Sequence, residues 1–415
     1  MAGTAGADAS RQDLAWVLES TYGETPAGNP TLQRVRYVSE TLKQNTDTVS
    51  SPEIESSRQK TGVARVRADA GGDVNVILSY GSHDSWLEYA LQSDATWSSV
   101  VDALEQDSNT AVTIALTSGN DATLTDDDTN NSWTNIVVGR WIRLGNFVTS
   151  SGVNNQIVKV IAKGSNNEIT IRGRGLVAET VAASAATSNA KVQMGGHVEN
   201  GVLCQSIVIE RENTDLVAAS KFAVFNGMVL DGFNFTITPG SLIEGAFTFL
   251  GKSQTTGTAT IGDGSNAAAP GNRIMNAVDD VSAIMEGTGL DTVTDATEFT
   301  ITYANNLAGR DAIGNLGPTS IRSGTIDING TLNVYLVNRD LMDKYLDFDD
   351  SAVAVVFVDN VGNGYVWELP HINYTDGDDS NPGQNNDIEA RMTYEASKDT
   401  TDDRTMIISR FAGPF

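Results

Sequence analysis

A strand written twice constrains this chain more than any other feature. The stretch IEGAFTFLGKS starts at Ile243, and IEARMTYEASK starts at Ile388, 145 positions later. The surroundings match in the same order. AGGDVNVILSYGSHDSWLEYALQ around Gly71 compares with INGTLNVYLVNRDLMDKYLDF around Asn329. Each reads as a Gly-containing turn and then an alternating strand (Val74, Val76, Leu78; Leu332, Val334, Leu336). A short amphipathic helix follows (Trp86, Leu87, Leu91; Leu341, Met342, Leu346). GVARVRAD from Gly62 and SIRSGTIDI from Ser320 supply the first strand of a hairpin before each turn. Downstream, SIVIER at Ser206 compares with AVVFVD at Ala354, and FAVFNGMVLDGFNFT from Phe222 with YVWELPHINYTDG from Tyr365. One matching pair means little, because the alphabet of a strand is narrow. An ordered series with a helix in the same slot means duplication.

The offset between copies is 258 before the helix and about 145 after it, so 113 residues are inserted in the first copy, between about Asp94 and Leu203. AVTIALTSGNDATLT, IVVGRWIRLGNF and NQIVKVIAKGSNNEITIRG lie there, followed by the spacer LVAETVAASAATSNA. Short strands with Gly-Asn and Gly-Ser turns predict a small β-barrel or sandwich, placed at a loop where insertions are tolerated. The fold class is therefore mainly β, with two tandem duplicated β-sandwich folds, each flanked by a short α-helix, and an inserted β domain. Residues 1–93 and 204–252 form the first sandwich, 94–203 the insertion, 253–295 a linker rich in small residues, and 296–415 the second sandwich. SETLKQNTDTVSSPEIESSRQK from Ser39 has no sustained strand or helix period, yet is too long for an idle connection.

Charge narrows the partners. Lys and Arg total 27 against 53 Asp and Glu, a formal net charge of -26, which excludes a general phosphate-gripping surface. Cys204 is the only cysteine, so neither an intrachain disulfide nor a thiolate zinc cage forms. The start lacks the basic and apolar regions of a secretory signal, and no apolar run reaches membrane-spanning length, so a soluble protein with no membrane insertion is expected.

Catalysis has little support. His83, His197 and His371 are far apart in sequence and fit no metal motif, so each is read as a turn or surface residue. Gly362 and Gly364 lie between two strands and read as a hairpin turn, not a nucleotide loop. The acidic loop with Asp376, Asp378, Asp379 and Asp387 carries Asn381 where an EF-hand needs Gly, so it reads as solvated. Asp126, Asp127 and Asp128 read the same way. No catalytic, cofactor-binding or metal residue is assigned.

SPEIESSRQ leading into strand, Gly turn, strand and helix, with IVIERENTD, FNGMVLDGFNFTITPGSLIEGAFTFLGK, YVWELPHINYTDG and TMIISRF, resembles the major tail tube proteins of long-tailed, siphovirus-type bacteriophages over nearly the whole chain. The resemblance implies a structural virion protein, not an enzyme, assembled in the host cytoplasm into stacked rings of a hollow tail tube for genome delivery. It implies six tube folds per ring, hence a trimeric, pseudo-hexameric ring of a two-fold chain. It also implies a tape measure protein inside the lumen, tail terminator and distal tail proteins at the ends, and DNA that passes without being bound. The segment from Ser39 and the N-terminal arm would meet the next ring, and the insertion would lie outside. The alternative reading is a carbohydrate-binding or adhesive β-sandwich, with Trp97, Trp133 and Trp141 of the insertion against a sugar.

Overall fold

Alternating runs such as Val74, Val76 and Leu78 put successive side chains on opposite faces of a strand, and the chain folds accordingly into antiparallel sheets. A computed structural model describes residues 6–94, 96–98, 101–102, 111–127, 133–182, 190–216 and 221–413. Numbered within the two repeated units alone, the first contains β1 (Gln12–Leu18), β2 (Lys43–Ser50), β3 (Val63–Ile77), α1 (Asp84–Ala90), β4 (Ile207–Asn213), β5 (Phe222–Ile237), β6 (Glu244–Gly251) and β7 (Ser253–Gly257). The second contains β8 (Val281–Glu286), β9 (Ala296–Ala304), β10 (Asp327–Tyr335), α2 (Asp340–Asp347), β11 (Ser351–Val358), β12 (Gly364–Asp378), β13 (Glu389–Ala396) and β14 (Ile407–Phe411).

The hydrogen-bonded order of the first unit is β2–β3–β6–β5–β4–β1, with β7 on the N-terminal half of β5. The order of the second is β9–β10–β13–β12–β11–β8, with β14 on the N-terminal half of β12. Even the irregularities recur. β5 shifts register against β6 between Leu230 and Gly232, and β12 against β13 between Tyr374 and Asp376. β4 does so against β5 between Ile207 and Ile209, and β11 against β12 between Ser351 and Val353. At these bulges the long strands β5 and β12 bend from one sheet of their sandwich into the other.

Pairing fixes the offsets independently of sequence likeness. Phe247 lies between Val74 and Phe233; Met392, its counterpart 145 positions on, lies between Leu332 and Gly377. β3 and β10 thus differ by 258, and β5 and β12 by 144. The second unit passes from α2 to β11 in three residues, at the place where the first carries its insertion.

One core cluster runs through both units and includes Trp86, Phe233, Phe247, Trp367 and Tyr394. Phe233 stacks on Tyr303 of the second unit at 5.3 Å between ring centroids. Each such buried ring contributes about 1.5–3 kcal/mol over an exposed one. The strand joint that brings them together is β5 with β9, paired from Gly232↔Ala304 to Ile237↔Phe299. A continuous sheet β2–β3–β6–β5–β9–β10–β13–β12 therefore crosses from one unit to the other.

Several sequence expectations are corrected. The glycines at Gly71 and Gly330 do not turn the chain: each sits inside one strand, β3 or β10, so neither unit has a hairpin there. Gly72 has φ +144, and a Cβ on it would lie 2.6 Å from the carbonyl oxygen of Thr41. Glycine at this position serves a close strand approach. The segment from Ser39 is also not irregular throughout, since Ser39–Glu40 and β2 pair with β3; Thr41, Leu42 and the loop 51–62 lie between strands. The N-terminal stretch from Gln12 is β1, zipped along β4, and no free arm. Residues 253–295 are more than a linker, because β7 closes the first unit and β8 opens the second.

The insertion has its own eight-stranded sheet and its own core, with Trp133, Phe147 and Ile142 buried. Its strand Gly196–Glu199, however, pairs with β14 and belongs to the second unit's sheet. The insertion docks there too. Trp141 and Ile157 pack with Met285, Val356, Val366 and Phe411, while the buried Glu368 carboxylate accepts from Trp141 Nε1 (2.6 Å) and Lys159 Nζ (2.5 Å). This polar pair under an apolar lid leaves no unpaired charge at the contact.

His83 precedes α1 and is buried, not on the surface, with Nε2 2.9 Å from the carbonyl oxygen of Arg36. Burial pushes its imidazole down to about 4. A ring held neutral when folded but titrating near 6.5 when unfolded favours folding fully above 6.5. That advantage, at most about 3 kcal/mol, is lost as pH falls from 6.5 toward 4. Burial pushes Glu19 and Glu210 up, which acts in the opposite sense. The prediction is therefore comparative: between pH 6.5 and 4, urea midpoints of the wild type should fall more steeply than those of His83→Gln.

Candidate functional site

The shared sheet has one apolar and one polar face. Along the row Val74, Phe247, Phe233, Tyr303 and Ile328, directly opposed on five strands, every side chain is buried. The adjacent row reads Asn75, Ala246, Asn234, Thr302, Asn329, Glu395 and Asn373, and all but Ala246 present polar groups. On the far side of that row come Glu244, Thr236 and Thr300, then Thr331, Thr393 and Asp376. Thr300 and Thr331 bond through their hydroxyls at 2.8 Å across the β9–β10 pair. Ser39, Asn75, Asn234, Thr236 and Glu244 line a hollow on this face.

Such a surface is wet and hydroxyl- and amide-lined; Tyr335, opposite Glu389, is an exposed ring on it, too little for the successive platforms on which bases or sugars stack. Its charges are chiefly acidic: Asp73, Glu244, Glu298, Asp327, Glu389, Glu395, Asp376 and Asp378 stand against Lys43, Arg67 and Arg391. Arg67 is engaged by Asp69 (3.3 Å) and Asp311 (3.1 Å), and Arg391 by Glu389 (3.3 Å). Little positive charge is left to hold phosphate.

A second arrangement pins the two units together. The carboxylate of Asp84 on α1 accepts from the buried Tyr365 hydroxyl and from Arg410 Nη1 (2.5 Å), both on the second unit. The Arg410 guanidinium lies 4.6 Å over the Trp97 ring. Burial first, and the neighbouring Asp84 charge second, push the Tyr365 phenol well above its usual value, so it stays a donor. Asn305 Nδ2 donates to the carbonyl oxygens of Ala90 (2.7 Å) and Leu230 (3.2 Å). Sequence reasoning missed this network, because Asp84 and Tyr365 are 281 positions apart and fit no motif.

The residues singled out in sequence fall elsewhere. His197, half-buried on the strand Gly196–Glu199 and not in a turn, meets Ser98 Oγ (2.9 Å), and His371, half-buried on β12, lies between Ser397 Oγ (2.6 Å) and Asp350 (3.1 Å). Gly362 lies within the β11–β12 hairpin turn with φ +89, and Gly364 opens β12. Asp376 and Asp378 end β12, whereas Asp379 and Asp387 lie in the loop after it. Asp126 is buried, not solvated; Asp127 accepts from the Ala111 amide (2.7 Å), and Asp128 lies outside the described residues. Among the described residues no group of three or more His, Cys, Asp or Glu side chains is placed to hold a metal ion, and no helix is long and apolar enough to cross a membrane. Trp133 and Trp141 are buried and Trp97 half-buried, so the sugar-binding alternative loses its aromatic surface.

No curated protein matches the chain. The family model described as phage tail tube protein matches residues 9–396, from before β1 to the end of β13, and on that span the chain belongs to the phage tail tube protein family.

Proposed function

We propose that three of these chains close each ring of a siphovirus-type tail tube, with the polar face of the shared sheet toward the lumen. Family membership makes the chain a structural protein of the virion tail that assembles with itself and with other tail components into a tube. The proposal adds the ring count and the placement of each part. The observation that carries it is the recurrence of one strand order, bulges included, in two units joined by β5 and β9. Each chain then supplies two of six ring positions. The domains are 1–93 with 204–252, extended by β7, the insertion 94–203 on the outside, and a second fold from 296, extended at its start by β8.

The exposed loop 51–62 between β2 and β3 would reach the adjacent ring, as would the counterpart loop 311–319 after Ala308–Arg310; Ile54 and Ile313 are fully exposed there. The tape measure protein would occupy the lumen before DNA does, and terminator and distal tail proteins would cap the ends. An acidic, hydroxylated wall repels a duplex within a Debye length of about 8 Å, which suits passage without binding. Purified protein examined by negative-stain microscopy should give rings or long hollow polymers; a permanently monomeric chain at every concentration would contradict the proposal.

The wall makes a separate prediction. Asn234→Lys, Thr302→Lys and Asn329→Lys together should leave tubes intact but make them retain DNA. In co-sedimentation, binding should appear near 50 mM salt and fall away steeply by 200 mM.

A further inference from the structure

We infer that the free edges of β2 and β12 form, between one chain and a second copy, the joint that β5 and β9 form within the chain, with Lys43 of one copy directly opposite Asp378 of the other. The inference rests on the ring proposed above and adds its contact register. By the offsets already fixed, Asn234 corresponds to Asp378 in β12, and the pairing β3–β2 set beside β10–β9 makes Thr302 correspond to Lys43. Within the chain Asn234 lies opposite Thr302. Repeating that pairing between copies brings Asp378 opposite Lys43 and Asp376 opposite Asn45.

Four observations support an unfilled joint. Among the described residues, no strand pairs with the outer edge of β2, nor with β12 beyond Ile372 on the side away from β13. Both edges are shorter than their partnered counterparts: β12 stops at Asp378 where β5 continues to Ile237, and β2 is broken from Ser39–Glu40 where β9 runs on. The outward amides are held by side chains instead of strand carbonyls. Leu42 N donates to Glu40 (2.7 Å), Gln44 N to Gln254 (3.0 Å) and Gly377 N to Asp376 (3.0 Å). Side-chain capping of this kind keeps an edge from pairing indiscriminately.

The helices make the same point. α1 lies at the internal joint, and its apolar residues Trp86, Leu87, Ala90 and Leu91 are buried. α2 packs on β12 and β13, yet Leu346 and Phe348 at its end remain 70% and 64% exposed. A second copy whose β2 joined β12 would bring its first fold to that side. The ionic pair Lys43–Asp378 supplies the cross-strand charge match. A register slipped by two residues would instead set Lys43 beside Ser380 or Asp376.

The test uses the full chain with Cys204→Ser. Lys43→Cys with Asp378→Cys should give rapid disulfide links between chains upon oxidation of assembled polymer, and none in monomer. Lys43→Cys with Asp376→Cys, the slipped pair, should give few. Polymers that link only through the slipped pair, or through neither, would overturn the register while leaving the tube intact. Absence of any polymer from the unmodified chain would take down the ring proposal with it. Should the cysteine chain fail to assemble, charge exchange decides. Lys43→Glu should raise the critical concentration at least about threefold, and adding Asp378→Lys should restore it. Independent, additive effects of the two changes would overturn the pairing.

Discussion

Gly232→Val is expected to abolish the tube. Gly232 sits at the first pair of the β5–β9 joint, beside the bulge that bends β5. A Cβ on it would lie 1.8 Å from the carbonyl oxygen of Tyr303 and 3.1 Å from Cα of Ala304, both backbone atoms that no rotamer change can move away. Valine must push β9 off β5, breaking the pairs from Gly232↔Ala304 onward and separating the stacked Phe233 and Tyr303. The combined loss of ladder and packing should exceed about 4 kcal/mol, beyond the ordinary range for one substitution. Urea denaturation followed by fluorescence, with microscopy of any soluble product, measures both effects. A Gly232→Val chain with an unchanged midpoint and normal tubes would mean that the units do not meet along this strand pair.

Asp84→Ala should come next in severity. The carboxylate satisfies the buried Tyr365 hydroxyl and the Arg410 guanidinium at once. Its removal strands a cation and a phenol between the units, at a cost of about 3–5 kcal/mol. Asp84→Asn keeps an acceptor and should lose less. Because the penalty is that of the partners left behind, Tyr365→Phe should cost less in the Asp84→Ala chain than in the wild type, a non-additivity readable from a double-mutant cycle in urea. Strict additivity would show that the hydroxyl and the carboxylate do not act as one unit.

These two sites mark the boundary of what sequence could reveal. The repeat was legible because strand order and apolar phase survive duplication: Val74 and Leu332, or Phe247 and Met392, occupy the same structural place with the same kind of side chain. The helices were legible for the same reason, from apolar residues at Trp86, Leu87 and Leu91 followed by a loop. The turns were misread because glycine serves two purposes that sequence does not separate. Gly71, Gly72 and Gly330 punctuate no hairpin; they lie inside strands, in places too tight for a side chain.

The polar wall was legible only in part. An excess of carboxylates was plain from composition, but its hydroxyl and amide character depends on which alternate positions face outward, and Asn234, Thr302 and Asn329 become one row only when three strands are paired. The acidic residues there cannot be told from surface acids by local pattern. Contacts at long range were least accessible. Glu368 lies in a run that reads as plain strand, yet it is the buried acceptor for Trp141 and Lys159 of the insertion. The insertion, predicted as a small β-barrel or sandwich, likewise ends in a strand paired with β14 of the second unit.

Both the proposed lumen wall and the proposed edge-to-edge joint depend on one chain standing for two positions of a ring. The most direct test is a cross-section of the assembled tube by electron microscopy, with insertions counted as outer lobes. Three chains per ring, giving three lobes around a wall of six similar sandwiches, is the predicted result. Six whole chains per ring, with six lobes and twelve sandwiches, would contradict it.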